Sequence, residues 1–111
     1  MGIEIKREPV RSIKIGGLSF RVEFVQRLLS DDGNTKLNGH IRYGPCLIQV
    51  EIENNEQVQK ITVLHEIMHG ILTQAGIEED HEKLVEILAY GLFGVLINNP
   101  DFVRWIDSKN L

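Results

Sequence analysis

The stretch that most constrains this chain is His65-Glu66-Ile67-Met68-His69, set inside the apolar run from Val58 to Ala75. Histidines four residues apart on a helix lie ~40° apart around its axis and one turn along it, so both imidazoles can reach one ion. With His65 at zero on a helical wheel, Ile61, Leu64, Met68, Ile71, Leu72 and Ala75 fall within about 120° on one side, as an amphipathic core helix requires. His65 and His69 border that stripe, and Thr62, Glu66 and Thr73 lie beyond them. The spacing therefore predicts a helix that buries its stripe and turns its two imidazoles toward a cleft. Asn54 or Asn55 can cap its start, and Gly76 can close its end with a left-handed residue.

Zinc is the ion this pair suits best. It takes neutral imidazole nitrogen, holds a tetrahedral shell and leaves a position for water in catalytic sites. Glu66 directly follows the first histidine, so its carboxylate can take a proton from such a water and pass it to a leaving amine. This is the HExxH pattern of zinc peptidases. The plainer alternative, two polar residues hydrogen-bonding at the rim of a core helix, leaves the position of Glu66 unexplained.

Composition narrows the classes further. A chain of 111 residues, 42% hydrophobic and 25% charged, predicts one globular domain over 1–111. The net charge of -4 argues against a nucleic-acid surface, because little in it would displace counterions from a phosphate backbone. A single Cys46 excludes an internal disulfide framework and fits a reducing compartment. Met1 to Ser12 lacks the apolar segment of a secretory signal, and Leu84 to Ile97 is short for a bilayer span and interrupted by Glu86. A cytoplasmic location without a membrane partner is the expectation.

Along the chain, Met1 to Arg11 is a polar lead-in. Ser12 to Ile15 and Leu18 to Val25 alternate in period two around Gly16-Gly17, which predicts a β-hairpin with Ile13, Ile15, Leu18, Phe20, Val22 and Phe24 on its inner face. Gln26 to Asn38 reads as a loop around Asp31-Asp32-Gly33-Asn34, with a short helical turn at Val25 to Leu29. His40 to Tyr43 precedes a Gly44-Pro45 turn, and Cys46 to Ile52 alternates as a half-exposed strand. As an edge beside the metal helix, that last strand would offer free N–H and C=O groups to an extended substrate. Asp80 can cap a second helix reaching about Asn98. A short third helix, Asp101 to Ile106, follows Asn99-Pro100, with Phe102, Trp105 and Ile106 as a lid on the core.

A third ligand must come from downstream. A metzincin would carry Gly and His where this chain has Leu72 and Ala75, so that class is excluded. Asp80 and His81 fall in the interhelical loop, whereas Glu82 and Glu86 sit on the second helix. Around Glu86 that helix is apolar on nearly every side, and a carboxylate facing an interior is costly unless paired or bound to a cation. Glu86 is therefore preferred as ligand, with Glu82, one turn earlier, as the alternative.

HExxH on one helix with a glutamate on the next resembles the gluzincin zinc peptidases. Leu64 to Leu72, Glu82 to Ala89 and Asn99 to Phe102 together resemble the small phage- and prophage-encoded relatives of the ImmA/IrrE metallopeptidases, the minigluzincins. The likeness covers the C-terminal half closely and the upstream strands more loosely. It implies an α+β fold, a small antiparallel sheet of hairpin plus edge strand packed on the HExxH helix and a second ligand-bearing helix. It implies that His65, His69 and Glu86 bind one zinc ion while Glu66 acts as base on a peptide or protein substrate held extended. Thermolysin-like members follow the ligand glutamate by four residues with an aspartate that orients a zinc histidine, but this chain has Tyr90 there. Tyr90 could instead aim its hydroxyl at a developing oxyanion, as could Tyr43, His40 or Arg42.

Two further readings follow from the same residues. Either tail, Met1 to Arg11 or Asp107 to Leu111, is long enough to cross the cleft and keep the enzyme latent. A non-catalytic module stapled by zinc would need a fourth protein ligand, for which His40 and His81 are the candidates.

Overall fold

The computed structural model describes residues 9–109. Of the polar lead-in Met1 to Arg11 and the tail Asp107 to Leu111, residues 1–8 and 110–111 lie outside the described residues, and Val10 packs against the core while Arg11 C=O accepts the Val22 N–H at 2.9 Å.

The hairpin forms where the alternation places it. Strands β1 (Ser12–Ile15) and β2 (Leu18–Val25) pair antiparallel, with Ile15 opposite Leu18. Gly16 makes the reversal at φ +57°, a region that glycine enters without a Cβ penalty. Ile15, Phe20 and Val22 are buried, with Ile13 and Phe24 packed against them. Leu18, expected on the same inner face, is half exposed beside the turn.

Strands β3 (Gly39–Arg42) and β4 (Leu47–Glu51) complete a sheet of order β1-β2-β4-β3. The expected antiparallel sheet is corrected here to a mixed one, because β4 runs parallel to β2 while pairing antiparallel with β3. The strand beside the cleft is also different. β4, expected at the edge, is central, and β3 is the edge. Its polar alternation misled because Gln49 and Glu51 are not turned to empty water. Gln49 accepts from Arg42 at 3.4 Å and donates to Glu23 at 3.5 Å, and the Glu51 carboxylate accepts the N–H groups of Leu28 and Glu53 at 2.9 and 3.1 Å. These backbone donors hold the Glu51 carboxyl below its ordinary value. The loop before β3 has no helical turn at Val25 to Leu29. Arg27 instead takes φ +55° and Leu28 is buried.

Three helices follow: α1 (Glu56–Gln74), α2 (Glu82–Asn98) and α3 (Pro100–Asp107). Asn55 caps α1, its side chain accepting the Val58 N–H at 2.9 Å. At the other end Gly76 takes φ +78°, with Ile77 N–H bonded to Leu72 C=O and Gly76 N–H to Thr73 C=O, both at 3.0 Å. This Schellman reversal satisfies the last carbonyls of α1 and turns the chain back toward it.

The core lies between the sheet and α1, where Val63 and Ile67 meet Phe20, Val22, Ile41, Ile48 and Val50. The face of α1 that meets the sheet is Thr62, Glu66 and Gly70, all buried. At Gly70 a Cβ would stand 2.8 Å from Ile15 Cδ1 and 3.2 Å from Ile41 Cδ1, so any larger residue there would have to displace those side-chain ends. The stripe from Ile61 to Ala75 lies around the helix from that face, and Ile71 within it is half exposed. Among the described residues α2 contacts α1 and α3 but no strand, and the helix expected to lid the core, α3, contacts only α2. Phe102, Trp105 and Ile106 are accordingly exposed. Asn99 does not cap α3 through its side chain, which turns back to donate to Val95 C=O at 2.8 Å. No helix among the described residues is long and apolar enough to cross a membrane.

Candidate metal centre

His65 and His69 project from successive turns of α1 into a cleft of about 680 Å³ whose lining also includes Gly39, His40, Ile41 and Tyr43. Their Nε2 atoms stand 3.1 Å apart. For Zn–N bonds of ~2.0–2.1 Å, a tetrahedral shell puts neighbouring donors roughly 3.3 Å apart, so this separation fits the edge of such a shell. The third donor is Glu82, with Oε1 2.6 Å from His65 Nε2 and Oε2 2.8 Å from His69 Nε2. His65, His69 and Glu82 form a group able to hold a metal ion, their ligating atoms all within 4.8 Å of one another. The donor set, two imidazoles and a carboxylate, is one that zinc accepts.

Glu82 is the acid that reaches the histidines; the preferred candidate, Glu86, does not join the group. Glu86 is exposed one turn further along α2, where it lines the same cleft. The expectation failed on its premise that α2 is enclosed, since only Val85 and Ala89 are buried on that helix. What selects Glu82 is the way α2 begins. After the Gly76 reversal the Asp80 carboxylate accepts the Glu82 N–H at 3.0 Å, and His81 C=O accepts from Val85 at 2.8 Å. The first residue of α2 is thereby held where its carboxylate reaches His65 and His69 of α1. Asp80 thus helps start the helix as expected, from one position before the formal cap.

Glu66 occupies a different setting from those three residues. It is 7% exposed, beneath β3, and a Cβ at Gly39 would come to 3.4 Å from its Cγ. Burial pushes its carboxyl up to about 7, and the negative charge of Glu82 adds to the rise. It was expected on the open side of the helix. The sheet instead covers it, leaving it on the cleft lining.

The four proposed oxyanion donors divide. Tyr43, His40 and Tyr90 line the cleft. Tyr43 accepts a hydrogen bond from Thr73 Oγ1 at 2.9 Å and meets the edge of Phe20. Tyr90 is exposed on α2. Arg42 is engaged elsewhere, with Asp31 at 2.7 Å and with Gln49. Neither His40 nor His81, the candidates for a fourth protein ligand, joins the three-residue group. His81 Nε2 is buried without a hydrogen-bond partner. Thr73, whose hydroxyl ties Tyr43 to α1, was not singled out as a partner of Tyr43; nothing in the local pattern reveals a contact across thirty residues of chain.

Comparison with protein-family profiles, characterised proteins and solved structures finds no match to this chain.

Proposed function

We propose that this chain is a zinc-dependent peptidase of the minigluzincin type, with His65, His69 and Glu82 holding the ion and Glu66 serving as the proton carrier. The observation that carries this reading is the convergence of three ligand atoms in a cleft that also holds a buried carboxylate one residue from a ligand. When bound, zinc supplies a Lewis acid for a peptide carbonyl and makes water more acidic. The remaining work falls to side chains of the protein. Glu66 accepts a proton from the attacking water and delivers it to the departing amine. The sheet lowers the cost of that cycle by excluding solvent from the carboxylate, which brings its proton affinity near neutrality.

Substrate placement follows from the sheet. β3 pairs with β4 on one side and ends the strand order, so among the described residues its other edge is unpaired beside the cleft. An extended peptide can add to it through main-chain hydrogen bonds, which gives affinity with little demand on sequence. The hydroxyl of Tyr43, held by Thr73, is the donor best fixed for a developing oxyanion. Glu66→Gln should abolish hydrolysis of an unfolded protein substrate while zinc content stays at the wild-type level. Undiminished cleavage by that variant would remove Glu66 from the mechanism.

A second reading has its own observation. α2 touches no strand, so a cation shared by α1 and α2 would staple the outer helix to the rest without any chemistry. The two readings part at the fourth position. A purely structural site closes with four protein ligands, and only three converge here among the described residues.

A further inference from the structure

α2 and α3 leave a large apolar surface uncovered. No charged side chain occurs between Glu86 and Asp101, yet α2 buries only Val85 and Ala89, and α3 buries nothing. Ile87 is 58% exposed, Trp105 68% and Ile106 63%. A helix apolar around most of its circumference belongs in an interior, and an exposed patch beyond ~300–600 Å² is unusual on a monomer. Leu84, Ile87, Leu88, Val95, Trp105 and Ile106 expose on the order of 700 Å² between them, close to the ~800 Å² that each partner gives a stable interface.

We propose that this surface is a homodimer interface, with α2 and α3 of one copy packed on α2 and α3 of the other about a two-fold axis. An isologous contact needs a patch that complements itself, and an uncharged apolar helix surface does so. Charge points to the same occupant. The α2 part of the surface, Ile87 to Pro100, carries no charged side chain, so two chains of net charge -4 can meet there with no like charges directly opposed. An anionic bilayer is the wrong partner. Asp101 and Asp107 flank the apolar side of α3, and its only basic residue, Arg104, is paired with Asp101. The dimer also leaves the metal cleft open. In steps of 100° along α2, Ile87, Leu84, Val95 and Leu88 fall between about 140° and 240° from Glu82, on the far side of the helix from that ligand.

The test uses the full chain and its single tryptophan, Trp105. Sedimentation equilibrium from low to high micromolar concentration should show conversion to twice the chain mass. Over the same range, Trp105 emission should move to the blue and become less accessible to acrylamide. Ile87→Glu and Leu88→Glu should remain monomeric, with unchanged far-ultraviolet circular dichroism and a Trp105 open to quencher at every concentration. The wild-type dilution series needs no variant, so misfolding of either one leaves the test intact. A wild-type chain that stays monomeric throughout overturns the proposal. So does a Trp105 equally shielded at the lowest concentration, which would mean that the same chain covers the surface. Shielding that appears only on adding phosphatidylglycerol vesicles would overturn it in favour of a membrane.

Discussion

Glu66 makes the stability of the metal-free protein depend on pH. Its carboxyl is raised from 4.5 to about 7, chiefly by burial. An acid with a raised value holds its proton more tightly when folded, so the stabilisation is complete below about 4.5 and disappears as pH rises through about 7. The span corresponds to on the order of 3 kcal/mol. Urea unfolding in the presence of a chelator should therefore give lower stability at pH 7.5 than at pH 5, and Glu66→Gln should flatten the difference. A cation at His65, His69 and Glu82 pulls the other way, favouring the ionised carboxylate, so the stabilisation gained from zinc should grow as pH rises. At the same scale, the choice between two glutamates is open to direct measurement. Glu82→Ala and His69→Ala should lose bound zinc, whereas Glu86→Ala should retain one ion per chain. Retention by Glu82→Ala with loss by Glu86→Ala would refute the ligand set. The convergence of His65 and His69 was legible because both lie within one helical segment, whose spacing is set by the sequence. The third residue of the group was not, because choosing between Glu82 and Glu86 requires knowing how the loop from Gly76 to His81 delivers the helix.

The elements were legible where periodicity is local. The hairpin at Gly16-Gly17, the Asn55 cap and the Gly76 terminus all stand where their residue types place them. Long-range pairing was less legible. Nothing in Leu47 to Glu51 says that its two neighbours are β2 and β3, since the hydrogen bonds that occupy Gln49 and Glu51 come from residues remote in sequence. The same blindness reversed the faces of α1. The apolar stripe predicts the side against the main core, while Thr62, Glu66 and Gly70 in fact meet the sheet. That contact depends on small residues. At Gly39 a Cβ would collide with Thr62 Cγ2 and stand 3.2 Å from the Gln49 carbonyl. Gly39→Ala should destabilise the fold by about 1–3 kcal/mol, the usual cost of overfilling a packed contact. Adding Thr62→Ala should recover part of that loss, because it removes the nearest atom. If Gly39→Ala unfolds at the wild-type urea midpoint, β3 is not seated against α1 as closely as described.

At the level of the whole molecule, the layers are unequal. The sheet and α1 enclose a core cluster in which Phe20, Val22, Ile48 and Val50 are almost completely shielded, whereas α2 buries only Val85 and Ala89 and α3 buries nothing. α2 is tied on by contact with α1 and by Glu82 reaching the two histidines. Regions with few buried apolar contacts open at lower free energy than the core, so the outer helices form the weaker unit. A ligand shared by the two layers stabilises only states in which both are in place. The gain is about 2.7 kcal/mol at a free concentration 100 times the dissociation constant. Hydrogen exchange at fixed protein concentration should show this division. In chelator, amides of α2 and α3 should exchange well before those of β2 and β4; with zinc, α2 should slow by up to about 100-fold while the central strands change little. Glu82→Ala should remove the zinc-dependent slowing without altering the strands. Equal protection of all elements in chelator would show that the outer helices need no staple, and zinc would then have to be explained by chemistry alone.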